Sequence, residues 1–251
     1  MDLGLTDRVV VVTGASAGIG AAVARSLAAE HTRIALVARR EDRLLRLADE
    51  LAEITERPLV LPFDLAQPEA ALRVRDRVVD RFGTVHALVN AAGGSRVVPV
   101  DATEEQWTEA FAVNFHGLRR LSHAVLDPMR AQRGGSIVNV TGSLEPKSLN
   151  AANAAKAAVH AWAKGLSRDL GEYGITVNSV SPGRIMTEQI VERVHPTAED
   201  RRAFAAAQIP LGRFGEPHEI ADLIVFLVSP RAAYISGEIV HVDGGLRRYA
   251  F

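Results

Sequence analysis

The chain has 251 residues, 47% of them hydrophobic and 24% charged, with a formal net charge of −1 and no cysteine. This is the balance of an ordinary folded domain with room for a large core, and it excludes disulfides, thiolate nucleophiles and cysteine-ligated metals. The lack of a basic excess, or of basic stretches interleaved with aromatics, argues against a nucleic-acid partner. No apolar run approaches the ~18–20 residues that span a bilayer. Met1-Asp2-Leu3-Gly4 does not open a secretory leader, so a cytoplasmic protein without a membrane partner is expected.

Short β-branched runs alternate with longer helical patterns along the chain. A strand is expected at 8–13, where Arg8 and Thr13 bracket four valines. It runs into Gly14-Ala15-Ser16-Ala17-Gly18-Ile19-Gly20 and an alanine-rich helix at 18–30. In this setting Gly14 permits a tight turn, and Gly18 lets backbone N–H groups approach a pyrophosphate. Gly20 lets the helix pack on the strand, and the helix N-terminus adds partial positive charge. The second strand, at 33–38, ends in Ala38-Arg39-Arg40. NAD-binding folds place a carboxylate there for the ribose hydroxyls, and Ala38 stands at that position. Arg39 and Arg40 suit a 2′-phosphate, with Ser16 as a further donor, so NADP is favoured over NAD as cofactor.

A helix at 41–56, a strand at 59–63, a helix at 68–81 and a strand at 87–90 follow. Then come a long helix at 104–133, a strand at 136–141, a helix at 150–173 and a strand at 175–180. A helix at 217–228 and a strand at 238–242 complete the alternation. Continuous apolar strands joined by helices imply right-handed βαβ units. The expected fold is therefore α/β: a single-domain Rossmann fold over 1–251 with a doubly wound parallel sheet of about seven strands. Two segments break the rhythm, a loop at 143–150 and a long stretch at 184–215 with only a weak helical pattern. Both fall beyond the carboxyl ends of strands, where ligands bind in open sheets, and 184–215 is expected to be the substrate loop. No metal site is expected, because His218-Glu219 lacks the second histidine of HExxH. No GxSxG elbow or Walker lysine is present.

Several motifs, in order, resemble those of the short-chain dehydrogenase/reductase family. Thr13 to Gly20 resembles its TGxxxGxG turn, and Asp64-Leu65 its adenine-side pair. Asn90-Ala91-Ala92-Gly93 resembles its NNAG segment, and Asn114-Phe115-His116-Gly117 the helix that carries a relay asparagine. Lys156-Ala157-Ala158 resembles the lysine segment, and Ser181-Pro182-Gly183-Arg184-Ile185 with Thr187 the nicotinamide-side motif. Residues 211–221 and Asp243-Gly244-Gly245 resemble the C-terminal segment. The resemblance implies an NADP(H)-dependent oxidoreductase acting on a small carbonyl or alcohol substrate, assembled as a homodimer or homotetramer. It assigns cofactor contacts to Gly14, Ser16, Gly18, Ile19, Gly20, Arg39, Arg40, Asp64, Leu65, Asn90, Ala91, Gly93, Lys156, Pro182, Gly183, Ile185 and Thr187.

In that family a tyrosine exchanges the substrate proton, and a lysine four residues later lowers its pKa and holds the nicotinamide ribose. A serine positions the carbonyl, and an asparagine holds a relay water. Hydride transfer develops negative charge on oxygen, which needs a proton donor. A tyrosine of pKa ~10 needs a neighbouring ammonium to serve. Asn114 and Lys156 fill two of these positions, but Ala152 stands four before Lys156, and the nearest tyrosine is Tyr173. The serine position aligns with Gly142, with Ser143 one residue on and Thr141 the other hydroxyl nearby. Asn114, Ser143 and Lys156 are thus the catalytic candidates of an incomplete set.

Three alternatives stay open. Another group gives the proton: Glu145, Lys147, Asn153, His160 or a water chain through Asn114 and Lys156. The chain binds NADP without redox turnover, as a sensor or regulatory subunit. Or the scaffold carries out an elimination or isomerisation, as a lyase or isomerase. Of these, oxidoreduction is preferred. The tail, which carries Tyr249 and Phe251, is expected to dock on a neighbouring subunit.

Overall fold

Val9–Thr13 (β1) is buried along its length, and its side chains alternate between two cores. Val10 and Val12 face one layer, Val9 and Val11 the other, as a period of two demands of a strand covered on both faces. The computed structural model describes residues 2–142, 145 and 148–249. After β1 come α1 (Gly18–Ala29), β2 (Arg33–Val37), α2 (Glu41–Leu51), β3 (Leu59–Leu61), α3 (Ala70–Phe82) and β4 (Ala87–Asn90). Next are α4 (Glu104–Phe111), α5 (Gly117–Ala124), α6 (Leu126–Ala131), β5 (Gly135–Val140) and α7 (Ala151–Leu170). β6 (Ile175–Pro182), α8 (Ala198–Gln208), α9 (Pro217–Val228) and β7 (Ile239–Val242) follow. The strands pair in parallel in the order β3-β2-β1-β4-β5-β6-β7, the doubly wound sheet expected. One face carries α1, α2 and α9 through Val23, Leu27, Leu44 and Ile224. The other carries α3, α5 and α7 through Val74, Val78, Leu121 and Leu170.

The winding reverses between β1 and β4, where ligand crevices open in such sheets. Thr13, fully buried, ties the two strand ends together: its Oγ1 accepts from the N–H groups of Ala91 and Ala92, each at 3.0 Å. A Cβ on Gly14 would stand 2.7 Å from the Ala91 carbonyl oxygen, and the Gly14 φ is +66°. Only glycine meets both demands.

Two elements differ from their sequence expectation. The helix expected over 104–133 is broken into α4, α5 and α6, with a π-turn at Ala112–His116 between the first two. Proline is tolerated in the first turn of a helix and not in its interior, and Pro128 lies in the first turn of α6. The weak pattern in 184–215 becomes a π-turn at Ile190–Val194 and the eleven-residue α8. Thr197 caps α8, its Oγ1 accepting from Asp200 N–H at 3.0 Å. Ile190, Ala205, Ile209 and Phe214 bury one another in a small satellite core that holds this loop to the domain. No helix among the described residues is long and apolar enough to cross a membrane.

Candidate active site

A cleft of about 1620 Å³ runs across the carboxyl ends of the strands. The glycine turn forms its floor. α1 starts without a side-chain cap and without an acidic residue in its first turn, so its free N–H groups make an anion seat. A Cβ on Gly20 would lie 2.4 Å from the Gly14 carbonyl oxygen, so the helix packs directly on the turn. Gly18 has a φ of +55°, and its Cβ would lie 3.3 Å from Thr187 Cγ2, which sets the two banks of the cleft.

At one end Arg40 donates from Nε and Nη2 to Ser16 Oγ at 3.3 and 3.1 Å. Glu188 reaches over from the segment after β6, accepting from Arg43 and lying 3.5 Å from Arg40 Nη1. Arg43 chiefly, and Arg40 after it, hold the Glu188 carboxyl below the usual carboxylate range. Arg39 lines the same end, its side chain bonded to no described residue. Asp64 Oδ1 accepts from Ala66 N–H at 3.0 Å, which fixes the Asp64-Leu65 turn in the wall. Ile19, Ala91, Gly93, Pro182, Gly183 and Ile185 also line the cleft. A glycine floor, a helix-end anion seat and an arginine pair at one end together fit a dinucleotide that carries an extra phosphate.

Gly20, Asn90 and Asn114 do not line the cleft. Asn90 Nδ2 donates to Ser122 Oγ at 3.0 Å and to Asn139 Oδ1 at 2.9 Å, tying β4 to α5 and β5. Asn114 is buried in the π-turn, a geometry that often marks functional segments. Its Oδ1 accepts from Gly94 N–H at 3.0 Å, and its Nδ2 donates to the Ala110 carbonyl at 2.9 Å. A Cβ on Gly93 would lie 2.9 Å from Asn114 Oδ1, so glycine there lets the loop after β4 rest on the asparagine.

The other end of the cleft centres on Lys156, on the second turn of α7. Its Nζ donates to the Thr141 carbonyl at 2.9 Å, and burial pushes its ammonium down to about 8. Ala152 is one turn earlier on the same helix face, and Gly142 faces the lysine. A Cβ on Gly142 would lie 3.5 Å from Nζ. Neither residue brings a hydroxyl.

Thr141 Oγ1 donates to the Val180 carbonyl at 3.2 Å and lies 2.7 Å from His160 Nε2. With the hydroxyl proton committed to Val180, Nε2 is the donor in that second contact. His160 Nδ1 is buried and has no partner. Burial first, then the charges of His241 and Lys156, hold His160 down at about 4, so its ring is neutral near neutrality.

Asn150, absent from the sequence candidates, sets the height of this helix. Its Oδ1 accepts from Ala152 N–H at 3.0 Å and Arg96 N–H at 3.2 Å, and its Nδ2 donates to Ser95 Oγ at 2.8 Å. The signal was an asparagine directly before an alanine-rich helix, the N-cap signature. Ser143 and Lys147 lie outside the described residues. Asn153 lines the cleft, and Glu145 accepts from Arg248 N–H at 3.2 Å. Tyr249 stands at the cleft of its own chain, while Tyr173 ends the turn after α7 and Tyr234 is fully exposed. No metal-binding cluster occurs among the described residues.

A family model described as enoyl-(acyl carrier protein) reductase matches residues 14–247. The 3-oxoacyl-(acyl-carrier-protein) reductase FabG of Vibrio cholerae is 37% identical over 249 residues, 97% of this chain and 99% of that protein. FabG of Escherichia coli K12 is 35% identical over 243 residues, 95% of this chain and 97% of its own. Among solved structures, L-sorbose reductase of Gluconobacter frateurii, complexed with NADPH and L-sorbose, matches with a TM-score of 0.93 at 32% identity. That match covers 99% of this chain and 100% of the other. YwfH, an NADPH-dependent reductase involved in bacilysin biosynthesis, matches with a TM-score of 0.90 at 27% identity, over 97% and 100% of the two chains. These likenesses take in the glycine turn, the full sheet and the lysine-bearing helix alike, and the chain belongs to the short-chain dehydrogenase/reductase family.

Proposed function

We propose that the chain is an NADPH-dependent oxidoreductase that reduces a carbonyl compound, or oxidises the corresponding alcohol, with Lys156 exchanging the proton. NADP over NAD is supported by the Arg40–Ser16 pair, by Arg43 beside it and by Ala38 where a carboxylate would repel a 2′-phosphate. The L-sorbose reductase structure holds NADPH and YwfH is NADPH-dependent, which agrees with that choice. The proton assignment is carried by one observation: the Lys156 ammonium stands at the cleft wall between Gly142 and Ala152, which bring no hydroxyl of their own.

When bound, NADPH supplies a hydride to the carbonyl carbon. The π pair of the C=O bond collects on oxygen, and Lys156 Nζ gives that oxygen a proton that solvent then restores. Carbonyl, reduced cofactor and one proton become alcohol and oxidised cofactor. The Thr141 carbonyl orients the ammonium without adding a counter-charge. A group that titrates near 8 both gives and retakes a proton near neutral pH. Asn114 acts as a positioning residue: its amide holds Gly94 N–H and so places the Gly93 backbone at the cleft. Ser143, next to Gly142 in sequence, is the proposed carbonyl-orienting hydroxyl. One domain over 1–251, a substrate loop at 184–215 and a homodimer or homotetramer, read by light scattering, complete the proposal.

Titration with NADPH and NADH by nicotinamide fluorescence, followed by a turnover screen on oxo compounds, tests it. NADPH should bind more tightly than NADH, and Lys156→Met should abolish turnover on substrates the parent reduces. Tight NADPH binding with no turnover on any oxo compound, unchanged in Ala152→Tyr, would favour a cofactor-binding protein without redox chemistry.

A further inference from the structure

Arg184 leaves the end of β6 on a backbone fixed from both sides. A Cβ on Gly183 would lie 2.7 Å from Asp243 Cα, and the Arg184 carbonyl accepts from Gly215 N–H at 2.9 Å. Ile185 is buried in the main core, and Arg184 lines the cleft. Its guanidinium carbon sits 5.2 Å from the ring centroid of Phe204 on α8, a cation–π distance. That stacking places the group in the substrate loop rather than at the glycine turn.

The guanidinium makes no hydrogen bond or ion pair with any described residue, and its Nε is buried without a partner. A guanidinium has five N–H donors and keeps its charge in a protein, so a buried Nε–H without an acceptor is costly, and the Nη groups are left to face the cleft. Burial lowers its pKa, which expresses the same cost. The carboxylates lining the cleft are committed elsewhere. Asp64 accepts from Ala66, Glu188 from Arg43, Asp243 from the N–H groups of Gly245 and Arg247, and Glu145 from Arg248. Arg193 and Arg247 line the same cleft and enter no ion pair with a described residue. The substrate side is therefore cationic, with a rigid donor fork and no acceptor of its own.

We propose that Arg184 is the anion-recognising residue of the substrate pocket, so that the substrate is an oxo acid or the matching hydroxy acid. The carboxylate takes the guanidinium fork while the carbonyl faces Lys156. This rests on the reductase assignment above. The same fork would also suit a phosphate of the cofactor, and the test separates the two sources.

The probes are benzoylformate, benzoylacetate and 3-benzoylpropionate, which space carbonyl and carboxylate differently, each against its methyl ester. Binding to the NADP⁺-loaded protein is measured by calorimetry, so no turnover is needed. For at least one spacing the acid should bind about ten-fold or more tighter than the ester, as a charge-assisted bidentate pair predicts. Arg184→Met should erase that preference and leave NADPH affinity and Tm unchanged, and Arg184→Lys should keep part of it.

Equal binding of acid and ester to the parent protein overturns the proposal. So does an Arg184→Met protein that keeps the preference but binds NADPH more weakly, since the fork would then serve the cofactor. A fall in Tm for both variants with the preference intact in Arg184→Lys and Arg184→Met alike makes Arg184 a prop for α8, and also overturns it. Arg184-dependent acid binding without NADPH oxidation would leave the anion site standing and sink the reductase assignment instead.

Discussion

The Lys156 ammonium is anchored on the backbone carbonyl of Thr141, 2.9 Å away, and not on a carboxylate. A carbonyl orients the ammonium but carries no formal charge to stabilise it, so burial dominates and the group titrates at about 8. His160, one turn on along its own helix, feels its charge, and His241 on β7 faces His160 in turn, while burial alone sets the Lys156 shift. Carbonyl reduction needs the protonated amine, so kcat for reduction should fall as pH rises through about 8. Alcohol oxidation needs the free amine and should rise over the same interval. Lys156→Arg keeps a charge that does not titrate there, and should flatten the reduction profile at a lower rate. A reduction profile that still falls near 8 in Lys156→Arg would move the proton to another group.

Cofactor choice rests on Arg40, whose two donors meet Ser16 Oγ. Arg40→Ala should weaken NADPH binding about ten- to a hundred-fold, the range of a lost charge-assisted contact, while changing NADH binding about two-fold or less. Glu188 already occupies Arg40 and Arg43. A 2′-phosphate must compete with it, so Glu188→Gln should tighten NADPH binding a few-fold and leave NADH alone. Fluorescence titration of the three proteins with both cofactors decides this, and equal losses for NADPH and NADH in Arg40→Ala would rule out the 2′-phosphate contact.

The sheet was legible because its signals are local and periodic. Val9 to Val12 fill both cores, and the glycines of the first turn have steric reasons to be glycine at each place. The π-turn that interrupts the helix at 104–133 was not legible, although Pro128 marks the start of α6. A π-turn at Asn114 is set by its side-chain bonds to Gly94 and Ala110, which are tertiary and leave no periodic trace. α8 escaped because its apolar residues pair with Ile190 and Phe214, distant in sequence, rather than forming a stripe. Of the site, Gly142 and Ala152 were visible as departures from a motif. That Lys156 leans toward Thr141, and that Asn150 locks the helix start, required the side-chain geometry.

His160 gives a stability signature separate from activity. Its folded pKa of about 4 lies below the unfolded value of 6.5. Between those values the unfolded chain binds a proton that the native chain does not, so stability rises with pH across that window. The contribution is complete above 6.5 and is lost as pH falls toward 4. His160→Gln should flatten this part of the stability curve, read as the difference between variant and parent, because His86, His116, His123 and His241 also titrate low. At neutral pH the glutamine amide can still donate to Thr141 Oγ1, so the change there should move Tm little. Parallel stability–pH curves for the two proteins would show that His160 is not held neutral by its surroundings.

Two glycine-to-alanine changes in helices should have opposite signs. Alanine is favoured over glycine by about 1 kcal/mol in a helix interior, through backbone entropy. Gly165 lies inside α7, more than a turn before its end, and a Cβ there meets nothing within 4 Å. Gly165→Ala should therefore stabilise the protein by ~0.5–1 kcal/mol, about 1–4 °C in Tm for a chain of this size. Gly20 is also helical, but its Cβ would stand 2.4 Å from the Gly14 carbonyl oxygen and 3.0 Å from that of Thr13. Both atoms are backbone, and they belong to the turn that meets the end of β4, so neither can swing aside as a flexible side chain would. Either α1 shifts off the turn or the turn opens, and each outcome disturbs the N–H seat at the head of α1. Gly20→Ala should lower Tm and weaken NADPH binding together, whereas Gly165→Ala should raise Tm and leave binding unchanged. Thermal melts with and without NADPH separate the two, and a Gly20→Ala protein with undiminished affinity would show that the close packing of helix on turn does not shape the phosphate seat.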